Sequence, residues 1–227
     1  GIDRMNLNDK GRRKFDIGLS ARTMVATRSF GRLSIPIDIS SSVAFPKDTV
    51  PSVSLRNFNS SIAYIPLEAD MDLEFHTDGL RIHGDFGING WKADEAIKKY
   101  AVNFIPELKK VETDAVVTLK GQCDGTYSYD GSGIPEISID LDIPESMIRH
   151  DDFSEEVNLA MQISAEADKE WNTRINIKEA GIKAKGLDMR LSGAADDILD
   201  SDPGISLDCD MRADLDSLAS ILPDSLQ

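Results

Sequence analysis

The sequence predicts a mainly β chain: an elongated, curved antiparallel sheet built from two tandem β-units, with two short helices. Apolar and polar residues alternate along almost the whole chain, which is the period of a strand with one buried face. Short Asp- and Gly-rich turns separate the alternating runs, and such brief connections make antiparallel hairpins rather than parallel crossovers. The third observation is an internal echo. Leu33 to Val43 runs in register with Ile137 to Met147, an offset of 104 positions from Ser34 to Ser138.

The echo extends beyond that strand. At the same offset Asp48 meets Asp152, Val53 meets Val157 and Leu55 meets Leu159. Upstream, Ile17-Gly18-Leu19-Ser20-Ala21 matches Val117-Thr118-Leu119-Lys120-Gly121 at an offset of 100. Downstream, Gly79-Leu80-Arg81-Ile82 with Asp85 and Phe86 matches Gly204-Ile205-Ser206-Leu207 with Asp210 and Met211 at an offset of 125, which implies a 21-residue insertion in the second copy. The expected division is 1–110, a β-unit ending in a helix, and 111–227, a second ending in a short helix, with one continuous domain as the alternative. Tandem units bury a face by stacking on neighbours, so repetition points to an array.

The clearest strand runs from Ala63 to Phe75, with Ala63, Ile65, Leu67, Ala69, Met71, Leu73 and Phe75 alternating with polar residues. At about 3.3 Å per residue it reaches about 40 Å, well beyond an ordinary strand. Other expected strands are 15–24, 33–45, 53–58, 80–88, 115–123, 137–143, 157–167, 174–178, 181–191 and 205–215. Turns are expected at Thr77-Asp78-Gly79, at Tyr129 to Gly133 and at Asp200 to Gly204. Helical period appears at Lys92 to Phe104, where Ala93, Ala96, Ile97, Tyr100, Ala101 and Phe104 form one stripe and Pro106 ends it. A second helix is expected from Leu215 to Leu222, with Asp216 as N-cap and Pro223 as stop. Val43 to Phe45 and Met147 to Phe153 read equally as loops or as one helical turn.

Alternation of this kind leaves one face apolar and the other wet. A second sheet, closure into a barrel, or a ligand with hydrocarbon surface would cover the apolar face. Aromatics are only 6% of the chain, so an aromatic-filled core is not indicated, and a ribbon curled into a trough fits the aliphatic positions. The formal charge of −15 opposes any nucleic-acid backbone and any anionic lipid surface, and otherwise confers solubility. No apolar stretch is long enough to span a bilayer as a helix. Gly1 before Ile2 reads as a protease remnant, so the missing anchor segment in this sequence is not evidence that the gene lacks one.

The long alternating strands, the Gly-Leu-x-Ile opening, the last strand running through Asp214, Leu215, Asp216, Ser217 and Leu218 into Leu222 and Pro223, and the repeat itself together resemble the AsmA-like bacterial envelope proteins and their TamB relatives. The resemblance covers most of the chain and is a pattern rather than a sharp motif. It implies a periplasmic segment tethered to the inner membrane, with a taco-shaped sheet around an apolar groove. The implied function is noncatalytic: phospholipid transport or outer-membrane biogenesis, with an acyl-chain ligand, envelope proteins or further repeats as partners, and no cofactor. The chain departs from the family in length, since one or two units do not cross an envelope. The groove candidates are Ile35, Ile37, Ile39, Ile65, Leu67, Met71, Leu73, Ile139, Leu141, Leu187, Met189, Leu191, Leu207 and Met211. The competing expectation is a structural or protein-interaction β-module that binds by strand addition without lipid.

Chemical sites are poorly marked. No nucleophile elbow, phosphate-binding glycine loop or metal spacing is present, and a hydrolase ranks third. His76 and His83, with Asp78 and Asp85, read as surface residues around a hairpin before a metal cluster. Asp196, Asp197, Asp200 and Asp202 lack the alternation and closing Glu of a calcium loop. Cys123 and Cys209 extend apolar alternations and read as buried free thiols, a disulfide remaining open in an oxidising compartment. Asn59-Ser60-Ser61 is a formal glycosylation sequon.

Overall fold

The structure is a computed structural model that describes residues 2–7, 13–27, 31–45, 50–62, 65–99, 101–103, 105–152, 155–200 and 202–219. Among them run β1 (Ile2–Leu7), β2 (Arg13–Thr27), β3 (Gly31–Phe45), β4 (Ser52–Ile62), β5 (Ile65–Phe75), β6 (Gly79–Lys92) and β7 (Val111–Thr113). They continue with β8 (Val116–Ser128), β9 (Glu136–His150), β10 (Val157–Ala167), β11 (Thr173–Ala184), β12 (Leu187–Asp196) and β13 (Gly204–Ala213). The helices α1 (Ala93–Lys99) and α2 (Leu215–Ala219) are short. The strands form one open antiparallel sheet in chain order, β7 alone leaving that order to pair with β9, and the sheet does not close into a barrel.

By contact density the chain divides into two compact units. The first comprises Gly1–Asn89, Leu119–Ile139 and Glu166–Asn172; the second comprises Gly90–Thr118, Asp140–Ala165 and Thr173–Gln227.

In the first unit, β2 and β3 pair without interruption from Arg13↔Phe45 to Thr27↔Gly31. The segment Val43 to Phe45 is therefore the end of a strand, not a loop or helical turn. β4 and β5 pair with Ile62 opposite Ile65, and of the long run expected from Ala63 the described part is β5, Ile65–Phe75. Residues 63 and 64 lie outside the described residues. β4 continues to Ile62 instead of stopping at Phe58, because a bulge between Leu55 and Phe58 interrupts the alternation without ending the strand. Asn57 takes φ +50° there, a left-handed conformation that Asn tolerates better than most residues.

In the second unit the same device recurs. The expected strands 174–178 and 181–191 are one strand, β11, bulged between Ile177 and Ala180, followed by β12. The reversal lies at Lys185 and Gly186, where Gly186 supplies φ +76°. Met147 to His150 belongs to β9 and pairs with β7, so it too is strand. α1 stops at Lys99, short of the expected Phe104, and Ala101–Asn103 tightens to a 3-10 turn. Tyr100 and Phe104 lie outside the described residues. Pro106 opens a further 3-10 turn, Pro106–Lys110, at a position where its missing N–H costs nothing. At α2 the cap is Asp214, not Asp216. The Asp214 carboxylate accepts from Asp216 N at 3.2 Å and from Ser217 Oγ at 2.6 Å, and the Ser217 bond leads in holding its carboxyl below the usual aspartate range.

The echo falls on successive strands: Leu33 to Val43 lies in β3 and Ile137 to Met147 in β9, while Val53 and Leu55 lie in β4 and Val157 and Leu159 in β10. The strand lengths agree: β3 and β9 each have 15 residues, β4 and β10 each 11.

Candidate apolar face

The site is a face rather than a cleft, and backbone register assembles it. Directly opposed residues in antiparallel strands project to the same side. In the first unit, Leu19 opposes Ile39, Ile39 opposes Ser60, and Ser60 opposes Leu67. A second row joins Val43, Leu55, Met71 and Gly84; a third joins Val53, Leu73 and Ile82. Ile37 and Ile65 occupy the register positions on either side of Ile62, and Ile35 occupies the position opposite Thr23. The expected residues Ile37, Ile39, Ile65, Leu67, Met71 and Leu73 thus share one face of the first unit.

The bulge explains how this face survives β4. Two successive residues at Arg56 and Asn57 oppose the wet side, so Leu55 and Phe58 both return to the apolar side. Without the extra residue, every position beyond it would change face.

The second unit builds its own apolar face in the same way. Ile182, Met189 and Met211 form one row; Ala180, Leu191 and Cys209 the next; Ile177, Gly193 and Leu207 another; and Ala184, Leu187 and Ala213 a fourth. This places Leu187, Met189, Leu191, Leu207 and Met211 together. Ile139 and Leu141 alternate on β9 with Asp140 and Asp142, whose carboxylates accept from Lys178 Nζ at 3.4 Å and Gln162 Nε2 at 3.0 Å. Alternation alone puts the two aliphatic residues on the side away from those polar contacts.

Protein covers these faces only thinly. Among the described residues the buried apolar ones are Val43, Ala115, Cys123 and Ile134, and none has a side chain less than 2% exposed. Leu19 is 49% exposed; of the expected residues Leu207 and Met211 are exposed, at 53% and 60%, and the others whose burial is described are partly exposed. Serines interrupt the first face: Ser60 is buried between Ile39 and Leu67, Ser41 alternates with Ile39 and Val43 on β3, and neither hydroxyl has a hydrogen-bond partner. Additional residues of the faces are Leu19, Val53, Leu55, Ile82, Ile177 and Ile182. Their alternation was visible in the chain, but only pairing shows which parity on each strand meets its neighbour.

The wet face carries polar rows. In the first unit Ser42 Oγ donates to Asp16 Oδ1 at 2.6 Å, Arg56 pairs with Asp72, and His83 Nδ1 lies 3.3 Å from Asp124 Oδ1. Partial burial pushes Asp72 up, but hydrogen bonds from Arg56 and Ser54, with the Arg56 charge, outweigh it and hold the carboxyl below its usual range. His76 lies 3.3 Å from Glu74, so the two histidines have separate carboxylate neighbours. Among the described residues no group of three His, Cys, Asp or Glu side chains is placed to hold a metal ion. Asp196 pairs with Arg174 at 3.1 Å, outside any cation loop.

The two thiols are free and differ. Cys123 is buried, and burial pushes its pKa up, with the Asp124 charge adding to the effect. Cys209 is exposed on β13, contrary to its expected burial, because β13 is the last strand of the sheet and every residue of it is exposed. No helix among the described residues is long and apolar enough to cross a membrane. No protein-family model, curated protein sequence or solved structure matches the chain.

Proposed function

We propose that the chain is a noncatalytic lipid-handling segment of an AsmA-like envelope protein, and that acyl chains lie along its aliphatic faces. The observation that carries this reading is the register. It gathers Ile, Leu, Val and Met from successive strands onto one side of each unit, where a dry protein core does not cover them. Each methylene removed from water there is worth about 0.8 kcal/mol, so a chain of ordinary length gains several kcal/mol without any directional contact. Aliphatic side chains suit a flexible hydrocarbon, and the scarcity of polar groups on the faces suits a ligand recognised by its tails. A periplasmic location, with a tether outside this chain, belongs to the same reading.

Native mass spectrometry of protein purified without detergent tests it, together with solvent extraction. Co-purified phospholipid or fatty acid supports the reading; a chain that is lipid-free and takes up none from vesicles refutes it.

A second reading has its own observation. β13 is paired to β12 in unbroken register from Leu187↔Ala213 to Asp196↔Gly204, and it carries neither bulge nor proline. Such an edge is a template for another strand, and it favours a structural module that binds protein by strand addition. Concentration-dependent association without bound lipid would select this alternative.

A further inference from the structure

The exposed aromatic residues of the first unit are gathered at one end of its strands. Among the described residues the exposed aromatics are Phe75, Tyr127, Tyr129 and Trp171. Phe75 ends β5, Tyr127 lies at the end of β8 with Tyr129 in the turn after it, and Trp171 lies in the turn between β10 and β11. The three reversals adjoin one another. Tyr129 N donates to Asp78 O at 3.0 Å, and Ser132, Gly133, Lys169 and Glu170 line a common recess. Phe75 opposes Leu80 and follows Leu73 in alternation, so the aromatic row begins on the aliphatic face.

Two features distinguish this rim from ordinary turns. Trp171 takes φ +68°, a left-handed conformation costly for a bulky side chain, at a position where glycine would be cheapest, and it is 53% exposed. The turns also satisfy much of their own backbone. Asp168 Oδ1 accepts from Glu170 N at 2.8 Å and Asn172 N at 3.0 Å, Trp171 N donates to Asp168 O at 3.1 Å, and Asp130 Oδ1 accepts from Ser132 N at 2.9 Å. Backbone groups already paired avoid the main penalty of leaving water. Tyrosine and tryptophan, with an apolar body and a polar tip, suit the boundary between headgroups and hydrocarbon.

We propose that this rim of Phe75, Tyr127, Tyr129 and Trp171 docks into the interfacial zone of a zwitterionic phospholipid bilayer. The proposal rests on the lipid-handling reading for its purpose, since it would set an end of the aliphatic face against the lipid source, but it stands on different residues. The reversals carry Asp78, Asp130, Asp168 and Glu170 against Lys169, so anionic lipid should weaken the contact.

Trp91 and Trp171 are the two tryptophans, so a Trp91→Phe chain reports on Trp171 alone. Mixed with phosphatidylcholine vesicles, its emission should shift to the blue and the protein should float with the vesicles. Both effects should weaken as phosphatidylglycerol is added. Trp171→Gly, which relieves the left-handed strain, should raise the melting temperature while weakening flotation, a pairing that a purely structural tryptophan would not produce. Tyr127→Ser/Tyr129→Ser/Trp171→Ser should abolish flotation and leave extracted lipid unchanged. The proposal is overturned if emission does not shift and nothing floats, whatever protein the rim captures. Flotation that survives the triple variant, or grows with phosphatidylglycerol, overturns it equally. Extractable lipid without flotation refutes the rim alone; flotation without extractable lipid refutes the lipid-handling reading alone.

Discussion

Arg56 on β4 grips Asp72 on β5 with a single nitrogen, Nη2 donating to Oδ1 at 2.6 Å and to Oδ2 at 2.7 Å. Its other terminal nitrogen, Nη1, donates to Leu55 O at 2.8 Å and Met71 O at 3.0 Å. Asp70 Oδ1 accepts from Asn57 N at 2.7 Å. Together these side chains bind the backbone where the bulge disrupts the β4–β5 ladder, and so hold the face change on which the apolar rows depend.

Arg56→Met should therefore cost more than a typical surface ion pair. The half-exposed pair is worth under about 1 kcal/mol, and the carbonyl bonds add a net gain of about 0.5–1.5 kcal/mol. The expected loss is about 1–2 kcal/mol, read as a lower urea midpoint at unchanged slope. A loss within error would show that the bulge holds without this arginine.

The same pair gives a pH signature. The folded-state pKa of Asp72 lies below its ordinary value of 3.8. Its contribution is fully present above that ordinary value and disappears as pH falls through the lower folded value. Asp72→Asn should flatten the stability profile below 3.8 and leave its slope at neutral pH unchanged; identical acid limbs in the two proteins would contradict the assignment.

Apolar-face truncations should separate binding from folding. Leu67 and Met71 are only partly covered, so Leu67→Ser and Met71→Ser should each cost under about 1 kcal/mol, against the 2–5 kcal/mol of emptying a packed core site. Bound lipid should fall sharply in the double variant. Thermal melts beside lipid quantitation would check this, and a cooperative loss of fold would mean that the face is a core after all.

Gly121 packs directly against the Phe86 ring. A methyl group added there would overlap the Phe86 ring, so Gly121→Ala should destabilise by about 1–3 kcal/mol. Phe86→Leu should restore part of the loss. The absence of any rescue would place the conflict elsewhere.

The thiols should titrate in two classes. Cys209 should react with a maleimide at the rate of an exposed thiol, and Cys123 only after unfolding or at alkaline pH. Equal rates would mean that the sheet around Cys123 opens readily.

Much of the fold was legible because a strand with one apolar face writes its period into the chain. β10 was expected and found at Val157–Ala167, and β3 at nearly its full length. Bulges hid the rest. At Asn57 and at Lys178 to Glu179 one extra residue breaks the alternation, and a broken alternation reads as the end of a strand. β7 has three residues, too few for any period to emerge. The α2 cap was displaced by two residues because Asp214 and Asp216 offer the same side chain, and only the helix start at Leu215 distinguishes them. Of the candidate face, composition on each strand was legible. The rows joining one strand to the next were not, because register depends on turns and bulges far from the residues that meet.

The most direct measurement is native mass spectrometry of detergent-free protein, wild type beside Leu67→Ser/Met71→Ser. The account predicts acyl lipid on the wild-type chain and its loss from a still-folded variant. A wild-type chain that carries no lipid, even after incubation with phospholipid vesicles, would contradict it.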